Sequence, residues 1–280
     1  MRPIPSRWNS ISTLAISSRG KSPIFMADDD SDTFEIASSS DNDDNNKRKP
    51  TVAIVGAGAV GAYYGCRLEE TGAYNVKFHM RGEHYRKSVE RGLNVTSVRG
   101  DMFVPPERLQ AFEDTQEIGP VDWVVVALKS TALEAIPELI YPLLEPGKTR
   151  VLAIMNGLIE DDLIEGLKNV AGDKSRDDDS EIQCCGALYG GMALVCCNRL
   201  GPGRIDHSYA GLLSGGVAIS STNLSAEENQ KAFEELWEPA NVDIAFEPSL
   251  LAGRWRKVCM KCFYSYGRSL IFSDQLHWIF

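Results

Sequence analysis

The chain has 280 residues, a formal net charge of -10 and 43% hydrophobic residues, enough for one large globular domain or two modest ones. An acidic balance argues against nucleic acid as the main partner, because phosphate binding needs a basic face. No apolar run reaches the roughly 20 residues that cross a bilayer, so no membrane role is expected.

The first 26 residues carry Arg2, Arg7, Arg19 and Lys21, many serines and no acid, the composition of a plastid or mitochondrial transit peptide. The alternative is a disordered tail, with Met26 as an internal start that leaves a cytoplasmic form. Residues 27–46 are rich in Asp, Ser and Asn and cannot bury enough apolar surface to offset ordering entropy. Residues 1–49 are therefore expected to be a disordered extension ahead of a folded unit.

After Pro50, short apolar runs alternate with helical patterns, the arrangement of a parallel sheet covered by helices on both faces. Strands are expected at Thr51–Val55, Asn75–Met80, Val121–Leu128 and Thr149–Met155. Helices are expected at Ala59–Glu70, Thr131–Leu144 and Ile159–Val170. The acidic run Gly172–Glu181 reads as a disordered insertion. Cys184–Ser220 alternates apolar residues around Gly201-Pro202-Gly203, which predicts antiparallel strands at the sheet edge. Ser225–Pro239 reads as a helix, Val242–Phe246 as a last strand, and Pro248 onward as the start of another helix. Met260–Phe280 has no amphipathic period.

The first strand runs directly into Gly56-Ala57-Gly58-Ala59-Val60-Gly61 and then into a helix, which is the context a dinucleotide fingerprint requires. Gly56 suits the tight turn, Gly58 the close approach of backbone to a pyrophosphate, and Gly61 the packing of helix on strand. The phosphates would sit on the helix N-terminus, where N–H groups and the helix dipole favour negative charge. The second strand ends without the acid that holds the ribose hydroxyls of NAD, and Arg81 follows it. A guanidinium there suits the 2′-phosphate of NADP, with Lys77 and Arg86 as candidate helpers. The seven cysteines include two adjacent pairs, and the four histidines are scattered, so buried free thiols are expected and no metal site.

With these features the chain resembles the ketopantoate reductase family. Gly92–Asp101, Val125–Ser130, Ile154–Gly157 and Gly201–His207 are similar to that family's segments in order and spacing, across about Thr51 to Lys257. The resemblance implies a Rossmann-type doubly wound α/β domain over residues 50–246, NADP as cofactor, and the start of a helical domain over 247–280. It implies reduction of a 2-oxo acid, 2-dehydropantoate, to pantoate. Gly56 to Gly61 would carry the cofactor, Arg81 its 2′-phosphate, and Lys129 would lie along it. Asn156 would meet nicotinamide and substrate, and Lys257 would donate the proton. Reduction of a carbonyl leaves charge on its oxygen, so a donor of that kind is needed. The alternative for Lys257 is a solvated basic face shared with Arg254 and Arg256.

The family's helical domain runs on beyond this chain's end and carries substrate-binding groups and much of a dimer surface. A homodimer is expected only with that domain complete. The alternative function is an inactive NADP-binding module, and a rival enzyme class is the two-domain hydroxy-acid dehydrogenases.

Overall fold

A computed structural model of the chain describes residues 48–172, 182–221 and 224–267, with side chains to residue 260. The expected transit peptide, the acidic linker and the acidic run after Gly172 lie outside the described residues. Thr51–Val55 (β1) is buried along its whole length, as a strand flanked by parallel neighbours and covered on both faces must be. It is followed by Ala59–Glu70 (α1), Asn75–His79 (β2) and Gly82–Arg91 (α2). Three short strands come next: Leu93–Ser97 (β3), Met102–Val104 (β4) and Gln110–Phe112 (β5). Trp123–Val126 (β6), Ile136–Ile140 (α3), Arg150–Ile154 (β7) and Glu160–Ala171 (α4) complete the parallel half. Ala187–Gly201 (β8), Arg204–Ser220 (β9), Ala226–Trp237 (α5), Ile244–Phe246 (β10) and Leu250–Gly267 (α6) follow.

The strands form one sheet in the order β4-β3-β9-β8-β7-β6-β1-β2-β5, with β10 also paired to β9. β5, β2, β1, β6, β7 and β8 run parallel, and β9 returns antiparallel to β8. One face buries Tyr63, Tyr64, Phe78, Phe233 and Trp237 under α1 and α5. The other buries Ile136, Ile140, Leu163 and Leu167 from α3 and α4. This is a doubly wound, Rossmann-type α/β fold. α1 approaches β1 and β2 closely at Gly65, where a Cβ would come within 2.5 Å of the Phe78 ring and 2.9 Å of Ile54. α5 starts where the sequence signals it, with Ser225 and Glu228 forming a reciprocal capping box.

Several expectations need correction. The β8–β9 hairpin is interior, because β3 pairs with the start of β9 and β10 with a later stretch. β3, β4 and β5 are not legible in the sequence because strands of three to five residues, two of them burying alternate positions and β5 burying none fully, carry little pattern. The segment expected as a helix at Thr131–Leu144 is broken into 3-10 turns at Ser130–Ala135 and Tyr141–Leu143 around the short α3. Pro137 and Pro142 lack the N–H that a continuous helix would use and crowd the preceding turn. α6 is helical through Gly267, although its sequence shows no clean period, and it packs on β8 and β9. Among the described residues no helix is long and apolar enough to cross a membrane.

Candidate functional site

The C-terminal ends of β1, β2, β6 and β7 open on one cleft of about 780 Å³, where ligands of open α/β sheets bind. Its wall contains Gly56, Ala57, Gly58, Ala59 and Val60 after β1, Arg81 after β2, Lys129 after β6 and Asn156 after β7. Lys257 reaches it from α6. Gly61, the last glycine of the spacing, is buried just beneath the loop.

The glycines divide the labour. Gly56 has φ +90, and a Cβ there would come within 2.5 Å of Leu128, so the turn requires glycine. A Cβ on Gly61 would collide with the Gly56 carbonyl oxygen and lie 3.1 Å from the Ala127 Cβ. Around Gly58, by contrast, nothing stands within 4 Å of where a Cβ would be. That position borders open cleft, as a close approach to a ligand phosphate needs. The loop's first N–H groups are occupied: Gly56 and Ala57 donate to the His79 carbonyl at 3.3 and 3.0 Å. The N–H groups of Ala59, Val60 and Gly61, in the first turn of α1, have no hydrogen-bond acceptor among the described residues. Three backbone donors at a helix N-terminus fit a pyrophosphate.

Two histidines brace this end. His79 is buried at the tip of β2, and its Nε2 accepts from Arg81 Nε at 3.3 Å. Burial, with the nearby Arg81 charge, lowers its pKa to about 4, so the ring stays neutral. His84, on α2, accepts at Nδ1 from the Gly203 N–H (3.0 Å). Its proton therefore sits on Nε2, which donates to the Ala57 carbonyl at 2.7 Å. Burial holds the His84 pKa below its ordinary value. His84 thereby ties the glycine loop to the turn of the β8–β9 hairpin.

The far end is built from side chains. Lys257 is half-buried and donates to the Ala193 carbonyl on β8 at 2.9 Å. Asn156 is exposed at the end of β7, followed by Gly157 at φ +105. Both residues also line a smaller hollow beneath α6. One turn before Lys257, Arg254 is 3% exposed and ion-paired with Glu160 at the start of α4. Its Nε donates to Glu160 Oε1 at 3.1 Å, and its Nη1 donates to the carbonyls of Met155 and of Gly191 (3.2 Å to the latter).

The stretch is thus not a uniformly solvated basic face. Arg256 is the exposed member, paired to Glu247 at 2.9 and 3.1 Å, while Arg254 anchors the helix. The sequence held no signal for this, since the Glu160 partner lies 94 residues away. Lys77 is no helper of Arg81: its ammonium donates to the Ile118 carbonyl at 2.9 Å, and neither it nor Arg86 lines the cleft. Sequence reasoning also missed His84 and Arg199, which do line it.

Comparison with known proteins fits this geometry. The family profile described as ketopantoate reductase PanE/ApbA matches residues 52–218. A 2-dehydropantoate 2-reductase of Nostoc sp. is 31% identical over 228 residues, which are 81% of this chain and 64% of that protein. The crystal structure of 2-dehydropantoate 2-reductase from Geobacter metallireducens superposes with a TM-score of 0.61 at 31% identity, covering 75% of this chain and 62% of that one. A D-mandelate dehydrogenase, solved with NADH and anilino(oxo)acetate, superposes with a TM-score of 0.60 at 22% identity over 75% of this chain and 61% of its own, a likeness of fold alone. The chain thus spans somewhat less than two thirds of the length of these relatives. With the profile covering more than half of its residues, the chain belongs to the ketopantoate reductase family, a family of oxidoreductases.

Proposed function

We propose that the chain binds NADP(H) and reduces a small 2-oxo acid, in the first instance 2-dehydropantoate, to the 2-hydroxy acid. The observation that carries this reading is the single cleft with backbone phosphate donors and Arg81 at one end and Asn156 with Lys257 at the other. When bound, the dinucleotide supplies hydride to the carbonyl carbon. Asn156 orients the carbonyl through its side-chain amide, and Lys257 donates a proton to the oxygen as charge develops there. An ammonium has three donors, so the bond to Ala193 does not by itself exhaust Lys257. Solvent restores the proton after each turnover. Arg81, braced by neutral His79, meets the 2′-phosphate. Residues 50–246 serve as the cofactor domain, and the segment from 247 supplies the lysine.

The second reading is a cofactor-holding module without turnover. One experiment separates the two: fluorescence titration with NADPH and NADH beside ketopantoate-dependent NADPH oxidation. The enzyme reading expects saturable NADPH binding and measurable turnover, whereas the module reading expects binding alone. Replacement Arg81→Asp should shift preference toward NADH by about 1–3 kcal/mol, the scale of a charged hydrogen bond. An unchanged ratio of dissociation constants removes NADP from the reading.

A further inference from the structure

Among the described residues, those lining the main cleft include Arg81, Lys129, Arg199 and Lys257 and no Asp or Glu, in a chain whose net charge is -10. Positive charge is therefore concentrated there against the overall balance, as a polyanionic ligand requires. Lys257 and Arg81 have places in the reading above, and the family resemblance lays Lys129 along the cofactor. Arg199 has no such place.

Arg199 is exposed on the far part of β8, two residues before the hairpin turn, and forms no ion pair among the described residues. Its position is fixed by the turn it precedes. Gly203 donates to His84 Nδ1 at 3.0 Å, and His84 lies one helical turn along α2 from Arg81. Arg199 and His84 line the cleft together with Arg81 and His79. Two guanidiniums, carried by unrelated segments, thus face the same end of one cleft. A 2′-phosphate near neutrality bears almost two negative charges and three acceptor oxygens. One arginine fork satisfies only part of that demand.

We propose that Arg199 is a second specificity-determining cation, closing on the 2′-phosphate of NADP from the hairpin side opposite Arg81, with His84 as the strut that holds the hairpin in place. This rests on the NADP reading of the cleft. The phosphate would be gripped between α2 and the β8–β9 turn, so discrimination against NAD would be shared between two segments more than a hundred residues apart.

The test measures dissociation constants of NADPH and NADH by fluorescence titration on the full chain, for wild type, Arg81→Ala, Arg199→Ala and Arg199→Gln. Thermal unfolding checks that each variant is folded, and the exposed Arg199 side chain makes its loss harmless to the core. Both Arg199 variants should weaken NADPH about tenfold and leave NADH within twofold, as for one charge-assisted bond. Added salt should then weaken NADPH less steeply in these variants than in wild type. If Arg81→Ala weakens NADPH selectively and the Arg199 variants do not, the inference falls and the NADP reading stands. Equal loss for both cofactors places Arg199 on a shared part of the dinucleotide and also overturns it. If wild type binds NADPH and NADH alike, the NADP reading fails, and the inference with it.

Discussion

The two ends of the cleft are made of different materials. At the glycine loop the binding groups are backbone N–H donors, held by a contiguous strand, turn and helix whose shape glycines permit. At the lysine end the groups are the side chains of Asn156, just past β7, and of Lys257 on α6, a helix held by the buried Arg254–Glu160 pair and by hydrogen bonds to the carbonyls of β8. The difference teaches where robustness lies. A backbone site survives most side-chain changes but fails when a Cβ intrudes, whereas a side-chain site fails when any one anchor is lost.

The largest expected effect breaks the lysine end. Lys257→Ala should reduce ketopantoate-dependent NADPH oxidation about 10²–10⁴-fold, the usual contribution of acid–base catalysis, and leave NADPH affinity unchanged. Equal loss of cofactor affinity would mean that the two ends are not separable. Next comes the anchor beneath it. Arg254→Ala leaves Glu160 buried without its partner and should cost about 3–5 kcal/mol in urea unfolding, the scale for breaking a buried pair. A loss below 1 kcal/mol would mean that α6 is held by something else.

The glycine-loop end has its own dependence, on a neutral His79. Because its folded pKa is about 4, the unfolded chain binds more protons between there and the ordinary value near 6.5. The stabilisation is fully present above that upper value and is lost as pH falls toward 4. Its size is on the order of 3 kcal/mol. His79→Gln should flatten that part of the urea-unfolding free energy against pH, and an unaltered acid slope would remove His79 from the account. The smallest effects sharpen the comparison within the loop itself. Gly61→Ala should cost about 1–3 kcal/mol of stability, because its Cβ meets the Gly56 carbonyl. Gly58→Ala should leave stability within about 0.5 kcal/mol, as a substitution clear of such contacts does, and yet weaken NADPH. If both variants unfold alike, Gly58 is a folding glycine and not a ligand-facing one.

What could be read without coordinates follows the same division. The strand, the glycine spacing and α1 are legible because they are local: fifteen consecutive residues supply period, turn and helix. Arg81 is legible for the same reason, as a cation just past the second strand where an acid would otherwise stand. The short β3, β4 and β5 are not, and without β3 and β4 the β8–β9 hairpin reads as lying at an edge it does not occupy. Pro137 and Pro142 stand in the sequence, and their breaking of the expected helix outweighs the apolar spacing that suggests it.

By itself the sequence determined the glycine turn between the first strand and α1, the alternation that builds the doubly wound sheet, and the resemblance that the family profile bears out. Tertiary structure alone decided that Arg254 turns inward to Glu160 while Arg256 stays out, and that Lys257 reaches the cleft beside Asn156. It alone decided that Arg199 faces the same space as Arg81. The physical reason is range. Backbone geometry and helix periodicity are set by neighbours a few residues apart, so they leave a pattern in the chain. The direction of a long charged side chain is set by whichever carboxylate or carbonyl folding brings to it, here 94 and 64 residues away.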